Sequence, residues 1–271
     1  MRSRLLIFLV ISAAVWTSAG ATTLDTRTGE HVFEALIKID HSVLNEGTLE
    51  SYRADFESSL NKHKSRQGKR DQSIKSLEQL FYSTHRKYLK KYVPFQSFSK
   101  LMDDGTYGCL TATALYALFL EELGYSYKII ETNYHIFIVG EVNGQKFLIE
   151  STDPINGFLD TDRDIEDRLN EVVMKNAEPS KSDRHRFTFE INRSISLKEM
   201  IGLQYYNLAT QDYNEGNLLE ALANLDKANR YYQSERIDEF LVLVIDRIAK
   251  DRNLLIQLNL NKSQYQILAK L

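Results

Sequence analysis

Residues 108–124 read GCLTATALYALFLEELG, a stretch with no helix breaker between its two glycines. Apolar residues fall on most sides of its helical projection, so it predicts a buried helix that begins at Cys109 and ends at Gly124. A helix that is apolar all round must be covered by other elements. The segments on either side of it therefore decide the architecture.

The residues after this helix have the composition of β-structure. Their pattern predicts three strands, at residues 127–132, 135–142 and 146–152. Asn143-Gly144 separates the last two strands and is the strongest short hairpin signal that a sequence offers. A two-residue turn there pairs Glu141 with Lys146, an opposite-charge pair that favours this register. Both faces of the hairpin carry apolar residues, which predicts that it lies inside the protein.

Helical segments flank this central region. Residues 29–93 have apolar positions at helical spacing and predict two or three helices, with a break at a basic loop near Gly68 and an end at Pro94. A polar connection with one short helix is predicted over residues 160–186. The whole pattern predicts an α+β fold with a helical N-terminal part and an α-helical C-terminal extension.

The C-terminal extension contains a repeat-like pattern. From Ser196 onward the spacing of small residues resembles that of a tetratricopeptide helix pair over about 30 residues. The residues with this spacing are Tyr205, Leu208, Ala209, Gly216, Ala221, Leu225 and Ala228. A single unit is evident, whereas about three stacked repeats are needed to bury a continuous core. We therefore expect a helical pair, extended by residues 236–250 and 254–268, that packs on the main domain.

The amino terminus has the form of an export signal. Arg2 and Arg4 precede the apolar residues 5–16, and Ala19-Gly20-Ala21 has the A-x-A form of a cleavage site. A retained anchor needs about 20 apolar residues, and Ser12 interrupts this run. The predicted divisions are a signal peptide over residues 1–21, a main domain over 22–192 and a helical segment over 193–271. The product is expected to be periplasmic or secreted, and not membrane-spanning after cleavage.

The composition restricts the partners. The 271 residues carry a net charge of −3, with 43% hydrophobic and 26% charged residues, as in ordinary globular proteins with a core. This balance gives no indication of nucleic-acid binding. The basic residues between 62 and 70 predict a solvated inter-helix loop, with contact to an anionic surface as the alternative. One cysteine, with no Cys-x-x-Cys or His-x-x-x-His pair, predicts no disulfide, no metal site and no cofactor.

Cys109 is the first candidate for chemistry. At the start of a buried helix, the macrodipole and the free N–H groups favour a thiolate and could later hold an oxyanion. A small apolar residue packed at a helix start explains a lone cysteine equally well. Tyr107 and Tyr134 flank the predicted site and are candidate oxyanion side chains. The cysteine alone therefore does not decide between chemistry and packing.

The hairpin supplies the partners of this cysteine. The register across Asn143-Gly144 places His135 and Glu150 on one face as diagonal neighbours, within reach of a hydrogen bond. Asp153 has the opposite parity and is the fallback acid if a bulge shifts the pairing. Taken singly, a histidine at a strand end and a carboxylate at a rim have structural explanations. Their joint placement after Cys109 predicts a nucleophile, a base and an orienting acid.

This order of residues resembles the transglutaminase-like superfamily of papain-type thiol enzymes. Within residues 95–158, Gly-Cys opens a buried helix ending in Leu-Gly, a strand follows, a histidine starts the next strand, and a third strand ends in Ile-Glu-Ser-Thr. The resemblance implies that Cys109 is the nucleophile and His135 the general base and acid. Glu150 stands where the family usually has aspartate. The family's aromatic residue after the histidine is displaced, with Ile136 there instead.

The implied reaction is acyl transfer. Attack of the Cys109 thiolate on an amide carbonyl of a peptide or protein releases an amine and leaves a thioester. Water then makes the enzyme a peptidase or amidase, and a lysine or other amine makes a crosslink. The alternative is a non-catalytic transglutaminase-like scaffold that binds a protein partner through its C-terminal helices. These alternatives stay open on the sequence alone.

Overall fold

The computed structural model describes residues 29–40, 46–67, 72–133, 135–177, 192–251 and 254. The predicted signal peptide and the predicted helix over residues 254–268, except Leu254, lie outside this part of the chain. Within it, no helix is both long enough and apolar enough to cross a membrane. The architecture is mixed α+β, with helices before and after an antiparallel sheet.

In the described residues, four helices precede the central helix. They are α1 (Gly29–Lys38), α2 (Glu46–Gln67), α3 (Ile74–Tyr88) and α4 (Phe98–Asp104). The Ser73 hydroxyl begins α3 by accepting a hydrogen bond from a backbone N–H of the first turn, and the helix ends before the predicted boundary at Pro94. Two short strands pair in parallel after it, β1 (Lys91–Tyr92) and β2 (Thr106–Tyr107). The predicted helices between residues 29 and 93 are confirmed.

The basic cluster is partly helical. Helix α2 continues to Gln67, so the predicted loop is wrong for the basic residues before that position. His63 accounts for the longer helix, because its side chain is buried and hydrogen-bonds the Ser83 hydroxyl of α3 at 3.1 Å. Lys69 and Arg70 lie outside the described residues.

Helix α5 (Cys109–Glu122) forms the centre of the fold, as predicted. Every residue from Leu110 to Leu120 is buried, because the N-terminal helices, the sheet and the C-terminal helices cover its different sides. Gly124 follows with φ of +72°, a left-handed value that glycine adopts at little steric cost and that stops the helix. The helix therefore presents no side to solvent between Leu110 and Leu120.

An antiparallel sheet lies against α5. Its strands are β3 (Tyr127–Thr132), β4 (Ile136–Val142), β5 (Gln145–Ile149), β6 (Phe158–Leu159) and β7 (Asn192–Ile195). Their order across the sheet is β6-β5-β4-β3-β7. Strand β3 has its predicted bounds. Strand β5 ends at Ile149 and not at Thr152, because the chain turns after Glu150, whose N–H donates to the Gly157 carbonyl at 2.7 Å.

The hairpin of β4 and β5 has the predicted register. Glu141 pairs with Lys146 across the turn. Asn143 and Gly144 have φ of +52° and +80°, the left-handed values that a two-residue type I′ turn requires. Continued past the pair of Ile138 and Ile149, this register makes His135 and Glu150 diagonal neighbours.

Helix α6 (Asp162–Ala177) lies in the predicted connection over residues 160–186, and the C-terminal helices are α7 (Glu199–Glu215), α8 (Leu218–Tyr231) and α9 (Glu235–Lys250). Gly216, with φ of +88°, turns the chain between α7 and α8, and Ala209 and Ala221, one from each helix, are fully buried. The predicted helix pair is confirmed. It packs on the rest of the chain, since the Gln204 side chain donates to the Gln96 carbonyl and both parts share one apolar core.

Candidate active site

Cys109 is the first residue of α5. Gly108 precedes it in extended conformation, and its N–H donates to the Thr111 hydroxyl at 2.9 Å, which fixes the start of the helix. A Cβ at Gly108 would lie 3.3 Å from the Val93 carbonyl oxygen, so glycine allows the preceding chain to pass close to the cysteine. The first turn of α5 therefore presents the thiol beside this chain segment.

Burial favours the protonated form of the Cys109 thiol. The residue is partly exposed, but protein atoms crowd around the sulfur, and this burial raises the pKa of the Cys109 thiol to about 11. The N–H groups of Leu110 and of Cys109 itself act in the opposite direction, as does the charge of Arg236, without offsetting it. Desolvation therefore acts against the thiolate that the start of the helix favours. A base must take the proton during any reaction.

His135 stands in a tight turn that joins β3 to β4. Its backbone N–H donates to the Thr132 hydroxyl at 3.1 Å, and its carbonyl accepts from the Thr132 N–H at 2.8 Å. The Nε2 atom of the imidazole is hydrogen-bonded to the Glu150 carboxylate, and the ring stacks on Phe137 at 6.1 Å between centroids. With Nε2 facing the carboxylate, Nδ1 is the nitrogen that can exchange a proton with a nucleophile.

Glu150 is a buried carboxylate with two sets of partners. Its Oε2 binds His135, and its Oε1 accepts from the Thr152 N–H at 3.1 Å and the Thr152 hydroxyl at 2.7 Å. Burial opposes ionisation of Glu150, but these hydrogen bonds outweigh it, so the pKa of the carboxyl lies below its ordinary value. An ionised carboxylate is thus held against the imidazole.

Asp153 has a different role from Glu150. Its Oδ1 accepts from the N–H groups of Ile155 and Asn156, at 3.1 and 2.8 Å, and its Oδ2 lies 3.5 Å from the Arg168 guanidinium. These contacts close the turn before β6. Of the two acids considered from the sequence, the structure brings Glu150 to His135 and turns Asp153 away.

A buried hydroxyl pair ties the helix to the hairpin. The Thr113 and Ser151 hydroxyl oxygens lie 2.9 Å apart, and the Thr113 oxygen lies 3.3 Å from the Ile136 carbonyl oxygen. The Ser151 hydroxyl also reaches the Cys109 carbonyl at 3.5 Å. Sequence analysis missed this connection. Its signal was Thr113 inside a largely apolar helix, because a buried hydroxyl requires a partner.

Cys109 and His135 line one groove, whose volume is about 1150 Å³. One side consists of the chain before α5 and the turn that carries His135, and the other side consists of α7 and α9. The helical side contributes Leu203, Tyr206, Asn207, Thr210, Tyr213, Asn214, Arg236, Phe240, Leu243 and Arg247. Sequence analysis assigned none of these residues to the site, since helical periodicity shows which face is buried and not what it faces.

No family model matches this chain. No curated protein or solved structure matches it either.

Two tyrosines, Tyr107 and Tyr134, were candidates from the sequence for binding an oxyanion. Tyr107 is buried and packs edge-on against Tyr92 at 5.7 Å between ring centroids, while Tyr134 lies outside the described residues. Tyr92 is 49% exposed and lines the groove, and the partial burial of its hydroxyl raises its pKa. The backbone N–H groups of Cys109 and Leu110 are the candidate donors for an oxyanion.

The described residues contain no group of three or more His, Cys, Asp or Glu side chains that could hold a metal ion. What the groove brings together is a thiol, an imidazole and a carboxylate hydrogen-bonded to that imidazole. This arrangement can support nucleophilic attack by sulfur with proton transfer through the ring.

Proposed function

We propose that this protein is a cysteine-dependent acyl transferase or amide hydrolase of the transglutaminase-like type. One observation carries the proposal: the imidazole of His135, oriented by the buried carboxylate of Glu150, lines the same groove as the Cys109 thiol. A helix with an N-terminal cysteine, packed on an antiparallel sheet that positions histidine and acid, also supports a papain-like fold. The signal-like residues 1–21 support a periplasmic or secreted location.

The first half of the reaction forms a thioester. His135 takes the thiol proton of Cys109 through Nδ1 while the sulfur attacks the carbonyl carbon of the substrate. Glu150 stabilises the imidazolium that results. The N–H groups at the start of α5 then bind the oxyanion of the tetrahedral intermediate. When the carbon–nitrogen bond breaks, the amine leaves with the proton from His135, and the acyl group stays on the sulfur.

The second half returns the free thiol. Water or a second amine gives a proton to His135 and attacks the thioester carbonyl, and the carbon–sulfur bond breaks. Water yields a carboxylic acid, and an amine yields a new amide. The sulfur leaves as thiolate and recovers its proton from the imidazolium, which restores the protonated resting state that burial of Cys109 favours.

The groove supports a polypeptide as substrate. Its volume exceeds that of ordinary small-molecule pockets, which is about 300–1,000 Å³. Tyr92 and Phe95 line it and are 49% and 42% exposed, so they offer apolar surface to side chains of an extended chain. Phe95 has φ of +63°, a left-handed conformation that phenylalanine rarely adopts. Strained residues of this kind are concentrated at functional sites.

The direct test uses p-nitrophenyl acetate as an activated acyl donor. We expect an acetyl group on Cys109, located by mass spectrometry of the intact protein and its peptides, and none at that position in Cys109→Ala. His135→Ala should slow acylation at neutral pH by about 100-fold or more, the range of general-base catalysis. Its remaining rate should keep rising with pH towards the thiol pKa of about 11.

The orienting acid has a matched control. Glu150→Gln keeps the shape of the side chain but removes the charge beside His135, so acylation should fall by roughly 10- to 100-fold. Asp153→Asn should leave the rate within about twofold, since Asp153 holds the neighbouring turn. If His135→Ala and Glu150→Gln acylate as fast as the unmodified protein, the proposal is wrong and the scaffold is the correct interpretation.

The fate of the thioester separates the two reaction types. The acetylated protein is incubated in buffer alone or with a primary amine such as methylamine, and loss of the acetyl group from Cys109 is followed over time. Loss in buffer at a rate independent of amine indicates a hydrolase. Loss that rises with amine concentration, with acetylated amine as product, indicates a transferase.

A further inference from the structure

A second buried acid lies at the other end of the turn that carries His135. Glu131, in β3, is 1% exposed. The Tyr232 hydroxyl donates to its Oε2 at 2.6 Å, the Arg236 Nη1 lies 3.0 Å from its Oε1, and the Arg193 Nε lies 3.5 Å from its Oε2. Tyr232 follows α8, and Arg236 belongs to the first turn of α9. The C-terminal helices are thus attached to β3 by a buried ion pair.

Arg236 makes a further pair of contacts with its other terminal nitrogen. Nη2 donates to the Thr132 carbonyl at 3.1 Å and to the Asn133 carbonyl at 2.7 Å. These carbonyls belong to the turn that leads into His135. One guanidinium therefore holds the end of β3 through a carboxylate and the following turn through two backbone oxygens.

We propose that Arg236 is a positioning residue that holds the His135 turn, so that the C-terminal helical segment is part of the active site and not an appendage to it. This inference rests on the proposed function. His135 is fixed from two directions: Glu150 holds its ring, and Arg236 holds the backbone that precedes it. Without the second contact the imidazole would keep its acid partner, but the backbone that carries it into the groove would no longer be held.

The geometry requires an arginine. A guanidinium is planar and presents several donors in a fixed fork, whereas a lysine ammonium is a single point charge on a flexible stem. Arg236 is itself held in place. Its backbone N–H donates to the Ser234 hydroxyl at 3.3 Å, and its guanidinium lies over the Tyr206 ring at 5.5 Å. The same charge also lowers the pKa of the Cys109 thiol, against the effect of burial.

Three variants distinguish an effect of Arg236 on the position of the His135 turn from an effect of its charge and from an effect on the stability of the fold. Arg236→Met removes the charge and the fork but keeps the apolar stem, and Arg236→Lys keeps the charge alone. Arg193→Met is the matched control, because Arg193 also approaches Glu131 and lies over the Tyr232 ring at 4.4 Å. It lacks the two carbonyl contacts that Arg236 makes with the turn.

The acylation rate with p-nitrophenyl acetate is measured for each variant alone and combined with His135→Ala. We expect Arg236→Met and Arg236→Lys to slow acylation by about 10- to 100-fold, as misplacement of a catalytic group by about 1 Å does. Arg193→Met should stay within about threefold. In the His135→Ala background the Arg236 substitutions should have little further effect, because the group on which they act is gone.

A slowing by Arg236→Met of equal size in both backgrounds would overturn the inference, since it would show that Arg236 acts on Cys109 by charge alone. An equal effect of Arg193→Met would overturn it as well, because loss of a positive charge beside Glu131 would then suffice without any contact to the turn. The imidazole NMR signal of His135, assigned by its absence in His135→Ala, gives a readout that needs no acylation. It should shift in Arg236→Lys and not in Arg193→Met, even if the unmodified protein forms no acetyl adduct and the proposed function fails. An unmoved signal in Arg236→Lys would end the inference independently.

Discussion

Glu150 and Glu131 are two buried carboxylates on either side of the His135 turn, and they are held in opposite ways. Glu150 contacts a histidine 15 residues before it, within one hairpin. Glu131 contacts a tyrosine 101 residues after it and an arginine of α9. The first carboxylate has an imidazole as partner and the second a permanently charged guanidinium. We infer that the local contact of Glu150 with His135 serves reactivity. The distant contacts of Glu131 with Tyr232 and Arg236 serve assembly of the fold.

The largest expected effect follows from Glu131. Glu131→Gln leaves the buried guanidinium of Arg236 without its carboxylate and should lower the free energy of unfolding by about 3–5 kcal/mol. Glu150→Gln, whose partner is an imidazole, should lower it by only about 1–2 kcal/mol. Urea denaturation followed by circular dichroism measures both, with the exposed Glu50→Gln as an unchanged control. Equal losses of unfolding free energy in Glu131→Gln and Glu150→Gln would contradict the distinction between the two carboxylates.

The pH dependence of the free energy of unfolding also distinguishes the two carboxylates, Glu150 at acid pH and Glu131, through its partner Tyr232, at alkaline pH. The pKa of Glu150 lies below its ordinary value of 4.5, so the stability that this group contributes is present above that value and is lost as the pH falls through the folded pKa. Burial and then Glu131 raise the pKa of Tyr232 above its ordinary value of 10.0, so stability should fall as the pH rises above 10.

Thermal or urea unfolding at stepped pH tests both halves of this prediction. Glu150→Gln should flatten the acid limb alone. Tyr232→Phe should flatten part of the alkaline limb, where the loss is about 1 kcal/mol per pH unit for one such group. If Tyr232→Phe left the alkaline limb unchanged, the hydroxyl could not be bound to Glu131 as the structure places it.

The smallest expected effect tests whether the hairpin turn serves only to set the register. Gly144 has φ of +80°, and a Cβ at this position would meet nothing within 4 Å, so Gly144→Ala introduces backbone strain and no clash. The free energy of unfolding should fall by about 1 kcal/mol. Acylation of Cys109 should be unchanged, because the register is also fixed by the rest of β4 and β5. A loss of acylation larger than the loss of stability would contradict this.

Local features of the fold were predictable because their causes lie close together in the sequence. The Asn143-Gly144 turn and the pairing of Glu141 with Lys146 set the register, and parity along the strands then brought His135 to Glu150. The buried helix α5 followed from its lack of a polar face.

Features that depend on distant parts of the chain were not predictable. Glu131 has the pattern of an ordinary strand residue, and its partner Arg236 has that of a solvated residue in the first turn of a helix. Only the docking of α9 shows that they form a buried pair. The raised pKa of the Cys109 thiol has the same origin, because desolvation depends on everything that packs around the sulfur.

Arg236 is synthesised after all three proposed catalytic residues, so the proposed active site is completed last from the C-terminal side. Once the chain has been synthesised as far as β6, Cys109, His135 and Glu150 are all present. The β4–β5 hairpin is also complete at that point. The guanidinium that holds the turn arrives only after α7 and α8 have been made. We therefore expect a nascent chain without α9 to carry every reactive group but to be acylated about 10- to 100-fold more slowly. Full reactivity would then require α9 to dock beside the turn.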